Sequence, residues 1–349
     1  MIEAMKVTFS SSYQAAEDRY RQMVYRRCGR SGVLLPPISL GFWQIFGHQR
    51  SYEDIAEMVL FAFDQGVCHF DLANNYGPVP PGIAETNFGR MMSHSLEPYR
   101  DELFISTKAG YEMWPGPYGN WGSRKYLISS LDQSLKRMNL EYVDLFYIHR
   151  WDPETPLEET LQALVDIVHA GKALYVGISK FPHDAALRAF EYLEEQHIHC
   201  LAVQDRYNII DRQMEAEDLF HLMRDYGVGF TCFSPLQQGL LTKRYLNGVP
   251  PDSRMAQGQF LKESMLTEEM LTALRGLNDL ALQRGQTLAQ MSLSWVLDQP
   301  QVTSAIIGAS SMEQLRENLQ AVEYAPFSDE EKDLIEKLSR PIQIRHWTR

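Results

Sequence analysis

Eight short apolar runs recur along the chain, each followed by a stretch whose apolar positions repeat at helical spacing, and no other feature restricts the fold as strongly. The runs are "ISLGFW" (38–43), "VCHFDLA" (67–73), "LFISTKA" (103–109), "VDLFYIH" (143–149), "ALYVGIS" (173–179), "LAVQ" (201–204), "VGFTCFS" (228–234) and "TSAIIGAS" (303–310). Amphipathic segments such as "SYEDIAEMVLFAFDQG" and "DRQMEAEDLFHLMRDYG" lie between them, several ending at glycine as helices commonly do. Such alternation implies parallel strands joined by crossover helices, and eight units are the number that closes a (β/α)8 TIM barrel of the α/β class. A doubly wound sheet would alternate in the same way, but no run is followed by the G-x-G-x-x-G loop of a Rossmann dinucleotide site.

The remaining segments fit around that barrel. "MVYRRCGRSGVLLPP" (23–37), with a turn at Gly29 to Gly32, predicts a β-hairpin that plugs the barrel's bottom. The expected organisation is an N-terminal arm over 1–22, a single barrel domain over 23–340 and a tail over 341–349. Two insertions, 111–122 and 237–265, are long for loops of a compact domain, and loops of that length usually serve function. Helical segments are expected near 267–284, 286–299, 311–323 and 328–338.

Charge and cysteine usage narrow the function. A formal net charge of −12 argues against general affinity for nucleic acid or an anionic membrane surface and favours a small-molecule partner. The four cysteines lie far apart, without the spacing of a zinc knuckle or a redox dithiol, and read as reduced packing thiols. The chain has no run of about 18 apolar residues, and its polar start lacks the apolar core of a signal peptide, so the cytoplasm is the expected compartment. "HIHC" (197–200) precedes a strand, on the stability face of a barrel, so no metal site is expected there.

Barrel enzymes work at the C-terminal ends of their strands. Here the second run ends in Asp71, with Tyr76 in its loop, the third in Lys108 and the fourth in His149. A tyrosine near an ammonium is expected to titrate below its ordinary value, which would fit Tyr76 as a general acid with Lys108 as the charge and Asp71 as its counter-ion. His149 would donate a hydrogen bond or relay the proton, and reduction of a carbonyl suits such a set. After the eighth run, Ser310 and Glu313 have the S-x-x-E form of a capping box. A helix N-terminus at that place favours an anion such as a phosphate.

"GVCHFDLANNYG", "ISTKAG", "FYIHRWD", "YVGIS", "VQDRYN", "FSPLQQGLL" and "IIGASSMEQLRENL" resemble the successive motifs of the aldo-keto reductase superfamily, over about residues 24 to 325. The resemblance implies a tetrad of Asp71, Tyr76, Lys108 and His149, with Tyr76 as proton donor and hydride from a nicotinamide cofactor. It assigns the adenosine end to Gly308, Ser310, Gln314, Glu317 and Asn318, and the 2′-phosphate to Arg254, which favours NADPH over NADH. Ser179, Gln204 and Tyr207 are expected at the nicotinamide, Tyr207 as a stacking ring. Phe233, Ser234, Pro235, Leu236 and Gln238 are expected along the pyrophosphate with Arg244 behind, and Trp43 and Asp71 at the cofactor's border. Lys180 stands where relatives carry Asn or Arg after the "GIS" serine, and it keeps a positive charge at the cofactor site.

The implied substrates are small aldehydes such as glyceraldehyde 3-phosphate or methylglyoxal, with Arg150 or Arg124 as candidates to meet a substrate phosphate. The implied assembly is a homotetramer. The superfamily also includes the voltage-gated potassium channel β subunits, which bind the same cofactor as regulatory redox sensors. Those subunits carry Asn where this chain has His149, and an imidazole there favours a working reductase.

Overall fold

The computed structural model describes residues 13–43, 50–77, 80–251, 253–257 and 261–344. Eight parallel strands close into a barrel: β1 (Ile38–Gly41), β2 (His69–Asp71), β3 (Phe104–Ala109), β4 (Val143–Ile148), β5 (Ala173–Ser179), β6 (Cys200–Arg206), β7 (Gly229–Phe233) and β8 (Ser304–Ile307). Each strand pairs with its sequence neighbours, and β8 returns to β1, with Ala305 opposite Ile38. All eight lie within or overlap the apolar runs. They are almost wholly buried because helices cover their outer face while side chains fill the barrel interior.

The helices form where amphipathic spacing meets a capping residue. Ser51, Ser123 and Thr267 accept a backbone N–H at the starts of α1 (Tyr52–Asp64), α3 (Arg124–Met138) and α7 (Glu268–Gln283). The others of eight residues or more are α2 (Ile83–Met91), α4 (Leu157–His169), α5 (His183–Glu195), α6 (Leu219–Tyr226), α8 (Leu288–Leu297), α9 (Met312–Leu319) and α10 (Asp329–Ser339). Thr287 with Gln290 and Ser328 with Glu331 form reciprocal capping boxes opening α8 and α10. The box expected from Ser310 and Glu313 does not form, because the helix starts one residue further on. Ser311 is the N-cap of α9 and accepts from the Gln314 N–H, while the Ser310 hydroxyl and N–H both donate to Gln314 Oε1.

The hairpin pairs Arg26–Arg27 antiparallel with Leu34–Leu35. Cys28, Val33 and Leu35 pack with Leu145, Tyr147 and Leu201 and so seal the end of the barrel where the strands begin. Gly29 turns there with φ +56 against the backbone of Gly227 and Gly229, an approach that leaves no room for a Cβ. The insertion over 111–122 has no regular element and is held by Met113 N–H to Gly119 O (2.9 Å) and by the Tyr126 hydroxyl on the Tyr111 carbonyl. The described part of 237–265 is a chain of single turns, with a four-residue helix at Arg254–Gln257. No described helix is long and apolar enough to cross a membrane.

Candidate active site

Alternate residues of a strand share a face, so the inward side of this barrel is read two at a time. His69 and Asp71, Ser106 and Lys108, Tyr147 and His149 point inward, with Gln204 on β6 and Thr231 and Phe233 on β7. At their upper ends Lys108 Nζ donates to Asp71 Oδ2 (2.6 Å) and to the Leu72 carbonyl (2.6 Å). Ser106 Oγ (2.7 Å) and Gln204 Nε2 (3.0 Å) donate to Asp71 Oδ1. Both carboxylate oxygens are therefore satisfied, and the ammonium is entirely sealed from solvent. Above this pair, Lys108 Nζ lies 4.9 Å from the Tyr76 ring centroid, and the His149 ring meets Tyr76 edge-on at 5.7 Å. The four residues drawn from three βα units converge on one point.

The electrostatics differ from the expectation in one respect. The Tyr76 phenol is pushed well above its ordinary value, by burial first and then by the nearby Asp71 and Tyr111, rather than being lowered by Lys108. Asp71 answers the ammonium directly at 2.6 Å, and its carboxylate acts upward on the phenol alongside burial. Tyr76 is thus held as a phenol, the form that carries a proton to give. Burial also holds Lys108 below its ordinary value against the opposing pull of Asp71. His149 is held well below 6.5 by burial and by the positive charges of Lys180, Lys108 and Arg150, which makes it a neutral imidazole at physiological pH.

The tetrad opens into a cleft of about 1150 Å³. Every residue expected at the cofactor lines it except Tyr207, and except Arg254, whose side chain lies outside the described residues. Tyr207 is a correction. Gln204 faces inward, so Tyr207, three positions on, faces outward; its ring stacks on Trp295 of α8 at 5.6 Å, and its hydroxyl donates to Glu215 (2.5 Å). Phe233, at the end of β7, lines the cleft and offers a flat ring in its place. Arg124 is also displaced from its expected role: it pairs with Asp166 on the outer helices, between α3 and α4. Arg150 does not line the cleft; it donates to the Gly110 carbonyl and Asn120 Oδ1, both at 2.9 Å.

Among the described residues the cleft walls carry Arg50, Lys180, Arg206, Lys243 and Arg244 against Asp71 and Glu317, in a chain whose net charge is −12. Such concentration of positive charge in a concave site suits an anionic ligand. Two buried polar atoms of the lining, Ser179 Oγ and Gln238 Oε1, have no hydrogen-bond partner among the described residues. With the N-terminus of α9 at Ser310 and Gln314, they fit a large ligand with an amide at one end and phosphates toward the other.

The sequence pattern of the Aldo/keto reductase family matches residues 37–340. The chain belongs to this family. It is 52% identical over 337 residues to the L-glyceraldehyde 3-phosphate reductases of Escherichia coli O157:H7 and of strain K12, covering 95% of this chain and 97% of each relative. It is also 33% identical to a probable voltage-gated potassium channel subunit beta of Arabidopsis thaliana, over 87% of this chain and 92% of that one. Among solved structures, a thermostable aldo-keto reductase bound to the inhibitor epalrestat superposes with a TM-score of 0.70 at 31% identity, over 90% of this chain and 100% of that one. The protein is accordingly an oxidoreductase.

This aldo/keto reductase also contains site residues that a reading of strand ends overlooks. A hydrogen-bonded line crosses the barrel interior from Ser304 Oγ to Ser39 Oγ (2.6 Å), His69 Nδ1 (2.7 Å), His69 Nε2 to Ser106 Oγ (3.0 Å) and so to Asp71. The signal was present in the sequence, since His69 and Ser106 each lie two residues before a tetrad member on the same strand. Tyr111, three residues past Lys108, lines the cleft with its ring edge-on to His149 at 4.7 Å. "HIHC" lies at the start of β6, where His199 bridges Glu194 and the Gly227 carbonyl, and no group of metal-ligating side chains occurs among the described residues.

Proposed function

We propose that this aldo/keto reductase reduces small aldehydes with NADPH, Tyr76 acting as the proton donor. The buried Lys108–Asp71 pair beneath Tyr76 and His149, at the floor of a cleft walled by cations, is the observation that supports this reading. A nicotinamide cofactor bound in the cleft supplies the hydride.

The protein's own residues do the rest. Tyr76, kept protonated by burial, gives its proton to the carbonyl oxygen as negative charge develops there. Lys108 offsets the charge left on the phenolate, and Asp71 and the Leu72 carbonyl fix Lys108 by each accepting a hydrogen bond from its ammonium. His149, neutral and in edge contact with Tyr76, orients the carbonyl by a hydrogen bond without an ionised competitor for the proton. Ser179 and Gln204 would hold the carboxamide, with Phe233 as the flat surface beside it. Ser310, Gln314 and Asn318 at α9 would hold the adenosine end, and Lys243 and Arg244 the phosphates.

The 52% identity to L-glyceraldehyde 3-phosphate reductases favours glyceraldehyde 3-phosphate among the candidate substrates. The test is a panel of aldehydes, including glyceraldehyde 3-phosphate and methylglyoxal, scored by oxidation of NADPH and again of NADH. Turnover with NADPH well above NADH is expected, and indifference to both reduced dinucleotides overturns the proposal.

A further inference from the structure

We propose that Lys180 and Tyr111 together form the subsite for an anionic substituent, phosphate or carboxylate, carried by the aldehyde. This rests on the aldehyde-reductase reading of the cleft and goes beyond it by assigning Lys180 to the substrate instead of the cofactor.

Lys180 directly follows β5 and lines the cleft. Its backbone is left-handed, φ +58, a region that non-glycine residues occupy rarely, so a lysine is not there for ease of folding. The ammonium donates to the Tyr111 hydroxyl oxygen at 2.9 Å and lies 5.0 Å from the Tyr111 ring centroid and 5.2 Å from that of Phe233. Among the described residues no carboxylate pairs with it, in contrast to Lys108, whose charge Asp71 answers directly.

Its partner is fixed from the other side. The Arg150 guanidinium carbon sits 4.3 Å from the Tyr111 ring centroid and 3.5 Å from that of Trp121, and its bonds to the Gly110 carbonyl and Asn120 hold it in place. Tyr111 therefore presents its hydroxyl beside Lys180 from a clamped ring. An ammonium has three protons, of which Tyr111 takes one; two remain, together with the phenolic proton itself. These donors converge beside a positive charge, which is what an oxyanion needs.

The subsite adjoins the reacting groups. Tyr111 meets His149 edge-on at 4.7 Å, and His149 meets Tyr76 at 5.7 Å. The charge on Lys180 is among the causes that hold both His149 and Lys108 below their ordinary values, so it is felt at the tetrad. An ammonium near other positive groups and lacking a counter-ion is unfavourable until an anion arrives. The cations placed to meet cofactor phosphates, Lys243 and Arg244, belong to the loop after β7, whereas Tyr111 and Lys180 follow β3 and β5.

The test compares kcat/KM for two matched pairs, glyceraldehyde 3-phosphate against glyceraldehyde and succinic semialdehyde against butyraldehyde, in the full-length protein and in Lys180→Met, Lys180→Arg and Tyr111→Phe. The ratio of anionic to neutral substrate is read, so any effect common to both members of a pair cancels. We expect Lys180→Met to lower that ratio by about tenfold to a hundredfold, the loss of one charge-assisted contact, with Lys180→Arg retaining most of it and Tyr111→Phe falling between. A drop confined to one pair identifies phosphate or carboxylate as the preferred anion. An unmoved ratio in an active Lys180→Met protein overturns this inference alone, above all if the dissociation constant for NADPH rises, since Lys180 then serves the cofactor. A parent protein inert toward all four aldehydes overturns the reductase reading and the inference with it.

Discussion

The Lys108 ammonium lies 2.6 Å from the Asp71 carboxylate, and both side chains are sealed from water. Removing one member of such a pair strands the other, at a cost of about 3–5 kcal/mol, while removing both together costs less. We predict that Lys108→Met and Asp71→Asn each lose stability in urea denaturation, and that the double variant regains part of it while remaining inactive. Full stability in either single variant would mean that the charge is not confined as the geometry implies.

Tyr76 carries the proton in the proposed reaction, and Phe at that position keeps the ring that packs beside His149 and over Lys108. The expected outcome for Tyr76→Phe is a fall in kcat of roughly 10²- to 10⁴-fold, the usual worth of a positioned acid. Affinity for NADPH, followed by fluorescence titration, should change little. A parallel loss of both would make Tyr76 a structural residue.

Neither of the proton-handling groups titrates in the neutral range. The phenol is held well above 10, by burial and by Asp71 and Tyr111, and the imidazole well below 6.5, by burial and by Lys180, Lys108 and Arg150. The rate of aldehyde reduction should therefore be flat between roughly pH 6 and pH 8, where an unperturbed histidine would impose a break. A clear inflection in kcat within that window, absent from a variant at His149, would contradict this assignment.

His69 connects the barrel interior to acid stability. Its imidazole is entirely buried and held down at about 4, chiefly by burial, with Asp71 pulling it up and Lys108 pushing it down. In the unfolded chain it titrates near 6.5. Between about pH 6.5 and 4 the unfolded state binds a proton that the folded state refuses, so the stability it contributes is complete above that window and is lost as the pH falls through it. The loss should amount to a few kcal/mol, at about 1.4 kcal/mol for each pH unit. Urea denaturation at pH 7 and near pH 4.5 should show a smaller pH-dependent drop in His69→Asn than in the parent protein. Equal drops would shift the acid sensitivity to other groups.

The relation between sequence and structure differs from one feature to the next. The eight alternating runs were enough for the barrel, because strand and helix periods are properties of consecutive residues and eight βα units close in only one common way. The tetrad was legible for the same reason: each of Asp71, Lys108 and His149 is the last polar residue of an apolar run, and strand ends in a barrel share one rim. The side a residue faces was harder. Period-two alternation flips with every step, so Tyr207, just past the end of β6, turned outward onto Trp295 while Gln204 turned inward onto Asp71. The N-cap of α9 moved from Ser310 to Ser311 by the same margin.

The sequence by itself determined the order of elements, the closed sheet and which residues arrive at its rim, since these follow from local periodicity and chain connectivity. Tertiary structure alone decided how those residues act on one another. The upward shift of the Tyr76 phenol, the His69 line to Asp71 and the meeting of Lys180 with Tyr111 all depend on burial and on distances between strands. The physical reason is that desolvation and charge coupling are set by what surrounds a group in space, and groups 69 positions apart, as Lys180 and Tyr111 are, leave no periodic trace of their contact in the chain.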